Sequence, residues 1–260
     1  MTLINKREPL KKPESSVEPV QQSLCVNLVK ELGGGHASSL GINLSDGNSE
    51  EVFKWFVASV LLSARINESA ALSTYEQFKQ DNILSPDAIL QTSWQGLIDI
   101  MAKGGQGKYD SAIATRLLES SRTLKEKYNG DLNRLHFFAE NGESLATNLR
   151  LLRGGIDQPT TDVFLRGLRD IWEKAQPPLA EAAILASRNL GLTQATDAEG
   201  TLEQVGIIRD IGWDNKMRLS DMEAALTKLG KDYCLRKRCH LCPAVQQCRL
   251  ATGGNNPNCQ

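Results

Sequence analysis

Four of the six cysteines of this chain crowd into the stretch GKDYCLRKRCHLCPAVQQCRL, from 230 to 250. They are Cys234, Cys239, Cys242 and Cys248, spaced C-x4-C-x2-C-x5-C. Thiolates are soft ligands, and four of them suit tetrahedral zinc or an iron–sulfur cluster. Structural zinc usually takes two separated C-x2-C knuckles. Here a single C-x2-C pair carries one further cysteine on each side, which wraps one loop round a larger object. The spacing therefore favours a [4Fe-4S] cluster, with zinc as the alternative. Lys231, Arg236, Lys237 and Arg238 lie in or beside the loop. They offset the negative charge of a thiolate-bound cluster and could also face a phosphate backbone; the plainer reading is a solvated basic loop. Cys25 reads as a small buried hydrophobe, and Cys259 is given no role.

Size and composition bound what can position such a site. The chain has 260 residues, a formal net charge of −1 and 40% hydrophobic residues. That fits one large domain or two small ones, and no global basic field marks a nucleic-acid partner. No apolar run is long enough to span a bilayer, the longest being 56–62. The N-terminal stretch lacks the apolar core of a secretory signal. The expectation is a cytoplasmic protein with reduced thiols and no membrane partner.

Aromatic residues make up 5% of the chain and strand-like alternation is scarce, so the expected class is all-α. EEVFKWFVASVLLSA, at 50–64, reads as a strongly apolar central helix. Helices are expected after an Asn67 cap and after Ser85 followed by Pro86. Another ends at Gly104-Gly105. YDSAIATRLLESSRTLKEKYNG stops at Asn129-Gly130. GESLATNLRLL, TTDVFLRGLRDIW, AEAAILASRNLGL and RLSDMEAALTKLG complete the set. ELGGGHASS reads as a loop, and the Gly-Gly-Gln triplet at 104–106 as a turn between helices. Residues 1–21 and 251–260 read as tails.

The cysteine loop resembles the C-terminal iron–sulfur loop of the endonuclease III family, C-x6-C-x2-C-x5-C, with the first interval two residues shorter here. FVASVLLSARINESA is similar to the family's early LLSAQ helix. GKYDSAIATRLLESSRTLKEKYNGDL is similar to its G-x-Y-x-x-K-A helix with closing N-G. LRGGIDQPTTDVFLRGLR looks like its helix-hairpin-helix, L-P-G-V-G-x-x-T-A. These segments fall in the family's order from 52 to 248.

The resemblance implies a two-lobed helix-hairpin-helix DNA glycosylase fold with a [4Fe-4S] cluster loop. It divides the chain into a helical barrel lobe, 65–170, and a cluster lobe made of 22–64 and 171–250. It implies a partner, double-stranded and damaged DNA, bound by a monomer. DNA contacts fall on Gly154, Gly155, Ile156 and Thr160 of the hairpin. They include Arg65, where the family commonly has a Gln that fills the gap left by a flipped base. A tight glycine turn and a helix opening near Pro159 or Thr160 would offer N–H groups to a phosphate. Arg150, Arg153, Arg166 and Arg169 flank it.

The family's chemistry uses a carboxylate that steadies the positive charge developing on the sugar. Members that also nick the strand use a lysine that forms a Schiff base. The lysine position falls on Pro159, which excludes lyase chemistry by that route. The carboxylate position falls near Pro177-Pro178-Leu179, where no acid stands. Glu181 is the nearest carboxylate, at the head of the next helix, where an acid also simply complements the helix dipole. A second alignment puts Asp162 in the carboxylate position and Ser144 in the lysine position, but loses the hairpin signature. The expected function is a base-excision DNA glycosylase without lyase activity, with Glu181 or Asp162 as its acid. The alternatives are a non-catalytic relative that recognises distorted duplex and, behind it, a redox sensor that has inherited the shape.

Overall fold

The computed structural model describes residues 19–64, 67–105, 110–154, 156–212 and 217–249. Among these residues the regular structure is all helical, with no strand. The helices are α1 (Pro19–Leu32), α2 (His36–Ser39), α3 (Ser49–Ser63), α4 (Glu68–Gln80), α5 (Pro86–Gln91), α6 (Trp94–Lys103) and α7 (Asp110–Tyr128). They continue with α8 (Leu132–Phe138), α9 (Gly142–Arg150), α10 (Gln158–Leu168), α11 (Glu181–Asn189), α12 (Ala198–Gly212) and α13 (Leu219–Leu229).

Two apolar cores organise them. The first is built round α3, nine of whose fifteen residues are buried, from Val52 to Leu61. A helix that is apolar on most sides has to sit inside a domain. It packs on α4 and α10, while α5 and α6 lie on α7. Phe56 meets Phe164 of α10 edge-on at 5.6 Å, and the Trp55 indole N–H donates to the Phe164 carbonyl at 2.9 Å. This core runs from Ala37 to Ala175. The second core joins Leu24, Cys25 and Leu28 of α1 to Leu179 and the helices α11 to α13. Cys25 is 2% exposed, and burial pushes its thiol pKa up to about 12, as suits an inert packing residue.

Local chemistry sets the helix ends. Asn67 accepts the Ala70 N–H at 2.7 Å and Ser85 accepts that of Ala88 at 3.1 Å, so both expected caps are present. Asn129 and Gly130 take positive φ values of 58° and 79°, which ends α7 where expected. Ser144, the lysine position of the second alignment, sits in the capping box of α9. Its hydroxyl accepts the Asn141 N–H at 3.0 Å and its own N–H goes to the Asn141 side chain at 2.9 Å.

Three expectations need adjusting. α3 was placed with the cluster lobe but packs in the first core, because its apolar faces meet α4 and α10. α1 begins at Pro19, inside the stretch read as a tail. Within the loop read at 31–39, the four residues His36–Ser39 form one helical turn.

Candidate nucleic-acid interface and interlobe cavity

The hairpin links α9 to α10. Gly154 has φ +94°, and a Cβ there would lie 2.8 Å from the Arg116 Cα, so the turn passes directly over α7. Ile156, 4% exposed, anchors it in the first core. Thr160 is fully buried. Its hydroxyl lies 2.6 Å from both Asp157 Oδ1 and Ser63 Oγ, and accepts from Arg116 Nη1 at 3.1 Å. Arg65 and Gly155 lie outside the described residues.

The opening of α10 differs from the expectation of free, outward N–H groups. Asp157 caps the helix, taking the Thr160 N–H on its side chain at 3.0 Å and the Thr161 N–H on its carbonyl. Arg116 Nη2 pairs with Asp157 Oδ2 at 3.2 Å. Partial burial works to raise the Asp157 pKa. The hydrogen bonds from Thr160 and the Arg116 guanidinium outweigh it and hold the carboxyl below its ordinary value. A carboxylate thus already occupies the anion site of this helix terminus. The side chains of Ile156 and Thr160 hold the hairpin in place. The exposed part is 157–159, together with Arg150 and Arg153.

Arg166 and Arg169, expected to flank the hairpin, turn the other way, into the seam between the two cores. Arg169 Nε pairs with Glu223 Oε2 at 3.0 Å, and its Nη2 donates to the Pro177 carbonyl at 2.6 Å. Arg166 Nε lies 3.1 Å from Glu223 Oε1, and its Nη2 donates to the Pro178 carbonyl at 3.1 Å. The two prolines in the family's carboxylate position are therefore held by arginine. Asp170 reaches across to cap α13, accepting the N–H groups of Leu219 at 2.9 Å and Ser220 at 3.0 Å. Gly35 N–H donates to Asp221 at 3.0 Å, closing the seam from the side of α2.

A cavity of about 360 Å³ opens at this seam, lined by His36, Trp55, Arg166, Arg218, Ser220 and Glu223 among others. Glu223 is 2% exposed. Burial pushes its carboxyl above the ordinary value, opposed by Arg169 and Arg166. Burial also pushes His36 below its usual range, against the pull of Glu68 at 3.7 Å. Neither Asp162 nor Glu181 lines the cavity. Asp162 accepts from Gln158 Nε2 at 2.7 Å and lies 3.9 Å from Arg166. Glu181 is exposed in the first turn of α11. Sequence reasoning missed Glu223 and Ser220, which sit inside RLSDMEAALTKLG with no motif to single them out. A buried-face acid in an otherwise apolar pattern was the available signal.

No family model matches this sequence, and no curated protein matches it. Solved structures do match in shape. Endonuclease III, trapped as a covalent intermediate with DNA in an estranged-adenine complex, is 15% identical with a TM-score of 0.51. The match covers 90% of this chain and 96% of that one. The 3-methyladenine DNA glycosylase of H. pylori, bound to 1,N6-ethenoadenine, is 14% identical with a TM-score of 0.50. It covers 84% of this chain and 98% of that one. The fold is that of the endonuclease III-like helix-hairpin-helix DNA glycosylases.

In this glycosylase fold the cysteine loop follows α13 through a π-helical turn, Gly230–Cys234. Two 3-10 turns follow, Cys239–Leu241 and Val245–Gln247. Gly230 allows that crossing, since a Cβ there would collide with the Ala182 carbonyl. Cys234, Cys242 and Cys248 pack against the second core. Cys248 Sγ lies 3.5 Å from the Asn189 carbonyl. Burial pushes the thiols of Cys234 and Cys242 up, and the charge of Cys248 adds to both shifts. Cys239 is disulfide-bonded. Among the described residues no three His, Cys, Asp or Glu side chains form a ready metal site. Cys234, Cys242 and Cys248 supply soft donors of the kind such a group needs, but they are not gathered round one point. Cys239, one 3-10 turn before Cys242, is held in its disulfide and would join such a group only once reduced. Lys231, Arg236, Lys237 and Arg238 are exposed beside them.

Proposed function

We propose that this chain is a monomeric, cytoplasmic base-excision protein that binds damaged double-stranded DNA and acts as an N-glycosylase without Schiff-base lyase chemistry. The observation that carries the reading is the cavity at the seam, walled on one side by α10, the second helix of the hairpin. Its volume falls within the range of small-ligand sites, about 300–1,000 Å³. Of the two structural neighbours, one is trapped covalently with DNA and the other, a DNA glycosylase, is bound to 1,N6-ethenoadenine, and this chain shares their fold. A base turned out of a duplex held at the hairpin would enter this cavity.

Asp162 and Glu181 remain the proposed acids for steadying charge on the sugar. Pro159 offers no amine, which is why the reading omits the lyase step. Cys234, Cys239, Cys242 and Cys248 would hold a [4Fe-4S] cluster, with zinc as the second choice. Its contribution would be to stabilise a loop poor in apolar residues. A second reading, a non-catalytic protein that recognises distorted duplex, is favoured by the position of Asp162 and Glu181 outside the cavity lining.

The deciding experiment incubates the purified chain with duplexes carrying methylated, deaminated or etheno-modified bases and measures free base. Release that disappears in Asp162→Asn or Glu181→Gln supports the glycosylase. Tight duplex binding with no release from any substrate supports the second reading.

A further inference from the structure

Two buried polar atoms in the cavity wall lack the hydrogen bonds their burial calls for. Ser220 is 8% exposed and Glu223 is 2% exposed, yet Ser220 Oγ and Glu223 Oε1 have no hydrogen-bond partner. Arg166 Nε does stand 3.1 Å from Oε1 as an ion pair, but no aligned hydrogen bond forms there. Buried polar groups in folded proteins are almost always satisfied, so each exception calls for a cause. Both residues line the same cavity. They sit three positions apart on α13, which places their Cβ atoms roughly 5–6 Å from each other on one face.

Both are also held in place. The Ser220 N–H donates to Asp170 Oδ2 at 3.0 Å, which fixes the first turn of α13. Glu223 Oε2 accepts from Arg169 at 3.0 Å, which fixes the carboxylate plane and leaves Oε1 turned away from that bond. The wall therefore offers an acceptor, the carboxylate oxygen, beside a hydroxyl that can donate or accept.

We infer that Ser220 and Glu223 form a two-point hydrogen-bonding edge that selects planar bases presenting an N–H beside a lone-pair atom. The carboxylate takes the N–H, and the Ser220 hydroxyl donates to the neighbouring ring nitrogen or carbonyl oxygen. Bases with an exocyclic amine next to a ring nitrogen qualify. So do bases with a ring N–H next to a carbonyl. A base of the same shape with no N–H on that edge leaves the carboxylate unpaired, and such sites reject it strongly. The inference rests on the glycosylase reading and names which side chains would set its selectivity.

The test uses calorimetric titration of the full chain with three probes, 9-methyladenine, 9-methylhypoxanthine and 9-methylpurine. The methyl group blocks the edge a sugar would occupy. The first two are expected to bind, and 9-methylpurine to bind at least tenfold more weakly. Ser220→Ala is expected to weaken the first two about fivefold, the value of one net hydrogen bond. Glu223→Gln is expected to weaken them further. Because Glu223→Gln also disturbs an ion pair, Ser220→Ala, which removes an unpaired hydroxyl and little else, keeps the test decisive if the former fails to fold. Equal binding of all three probes, no binding up to their solubility, or an unchanged affinity in Ser220→Ala would overturn the inference. Duplex binding and base release are measured alongside. If these persist while the α13 edge fails, only the edge is wrong; if the wild-type chain does not bind duplex, the proposed function fails with it.

Discussion

Arg169, whose side chain is 5% exposed, meets the carboxylate of Glu223, 2% exposed, at 3.0 Å across the seam between the two cores. The pair joins the end of the hairpin's second helix to the middle of α13. Charges this far from water are tolerated only in pairs, and here one acid serves two arginines.

Removing one partner should therefore be costly. Arg169→Met leaves Glu223 with Arg166 alone and frees the Pro177 carbonyl. The expected loss is about 3 kcal/mol, measured by chemical denaturation, with a fall in Tm of roughly 10 °C. A change under about 0.5 kcal/mol, the level of an ordinary surface substitution, would show that the seam does not depend on this contact.

Asp170 should behave as a cap delivered from 49 residues away. Asp170→Ala is expected to destabilise by about 1 kcal/mol. Hydrogen exchange should speed up at the Leu219 and Ser220 amides, while the Ser59 region of α3 keeps its protection. Uniform acceleration through both cores would contradict a local capping role.

Asp157 carries a pH signature. Its folded pKa lies below the unfolded value of 3.8, so the stability it contributes is complete above that value and lost as pH falls through the folded pKa. Asp157→Ala should cost about 1 kcal/mol at pH 7 and at pH 5. Below pH 3.8 the gap between wild type and variant should shrink. A gap that widens on acidification would mean that the carboxylate is not stabilised as its contacts imply.

How much of this could be read beforehand follows from the range of each interaction. α3, the Asn67 and Ser85 caps and the stop at Asn129-Gly130 are local, set by residues within one helical turn. α8 was missed because seven residues give less than two turns of periodicity. α12 carries Gly200 and Gly206, which lower helix propensity and hide its pattern. The seam was invisible for a different reason. Arg166, Arg169 and Asp170 find partners on α13 some fifty positions away, as the 54-residue separation of Arg169 and Glu223 shows, and sequence spacing carries no trace of that. Read locally, the same arginines looked like phosphate ligands beside a turn.

The metal reading predicts colour. Anaerobically purified chain is expected to be brown, with about four irons and four sulfides per chain. Cys239→Ser is expected to lower solubility and Tm before it alters DNA binding. A colourless chain with one zinc would replace the cluster by the alternative ion.

Borohydride added during incubation with damaged duplex is expected to trap no covalent complex, because Pro159 has no amine to form a Schiff base. An adduct mapped by mass spectrometry to any lysine would place the lyase position elsewhere in the chain.

The second core takes α1 from one end of the described chain and α11 to α13 from the other. On the ribosome the stretch from Ala37 to Ala175 can bury its aromatic residues while the rest is still being synthesised. α1 must wait, its apolar side uncovered, until the last helices emerge. Translation speed over the codons for 176–229 thus sets how long Leu24 and Leu28 stay open to chaperones and proteases.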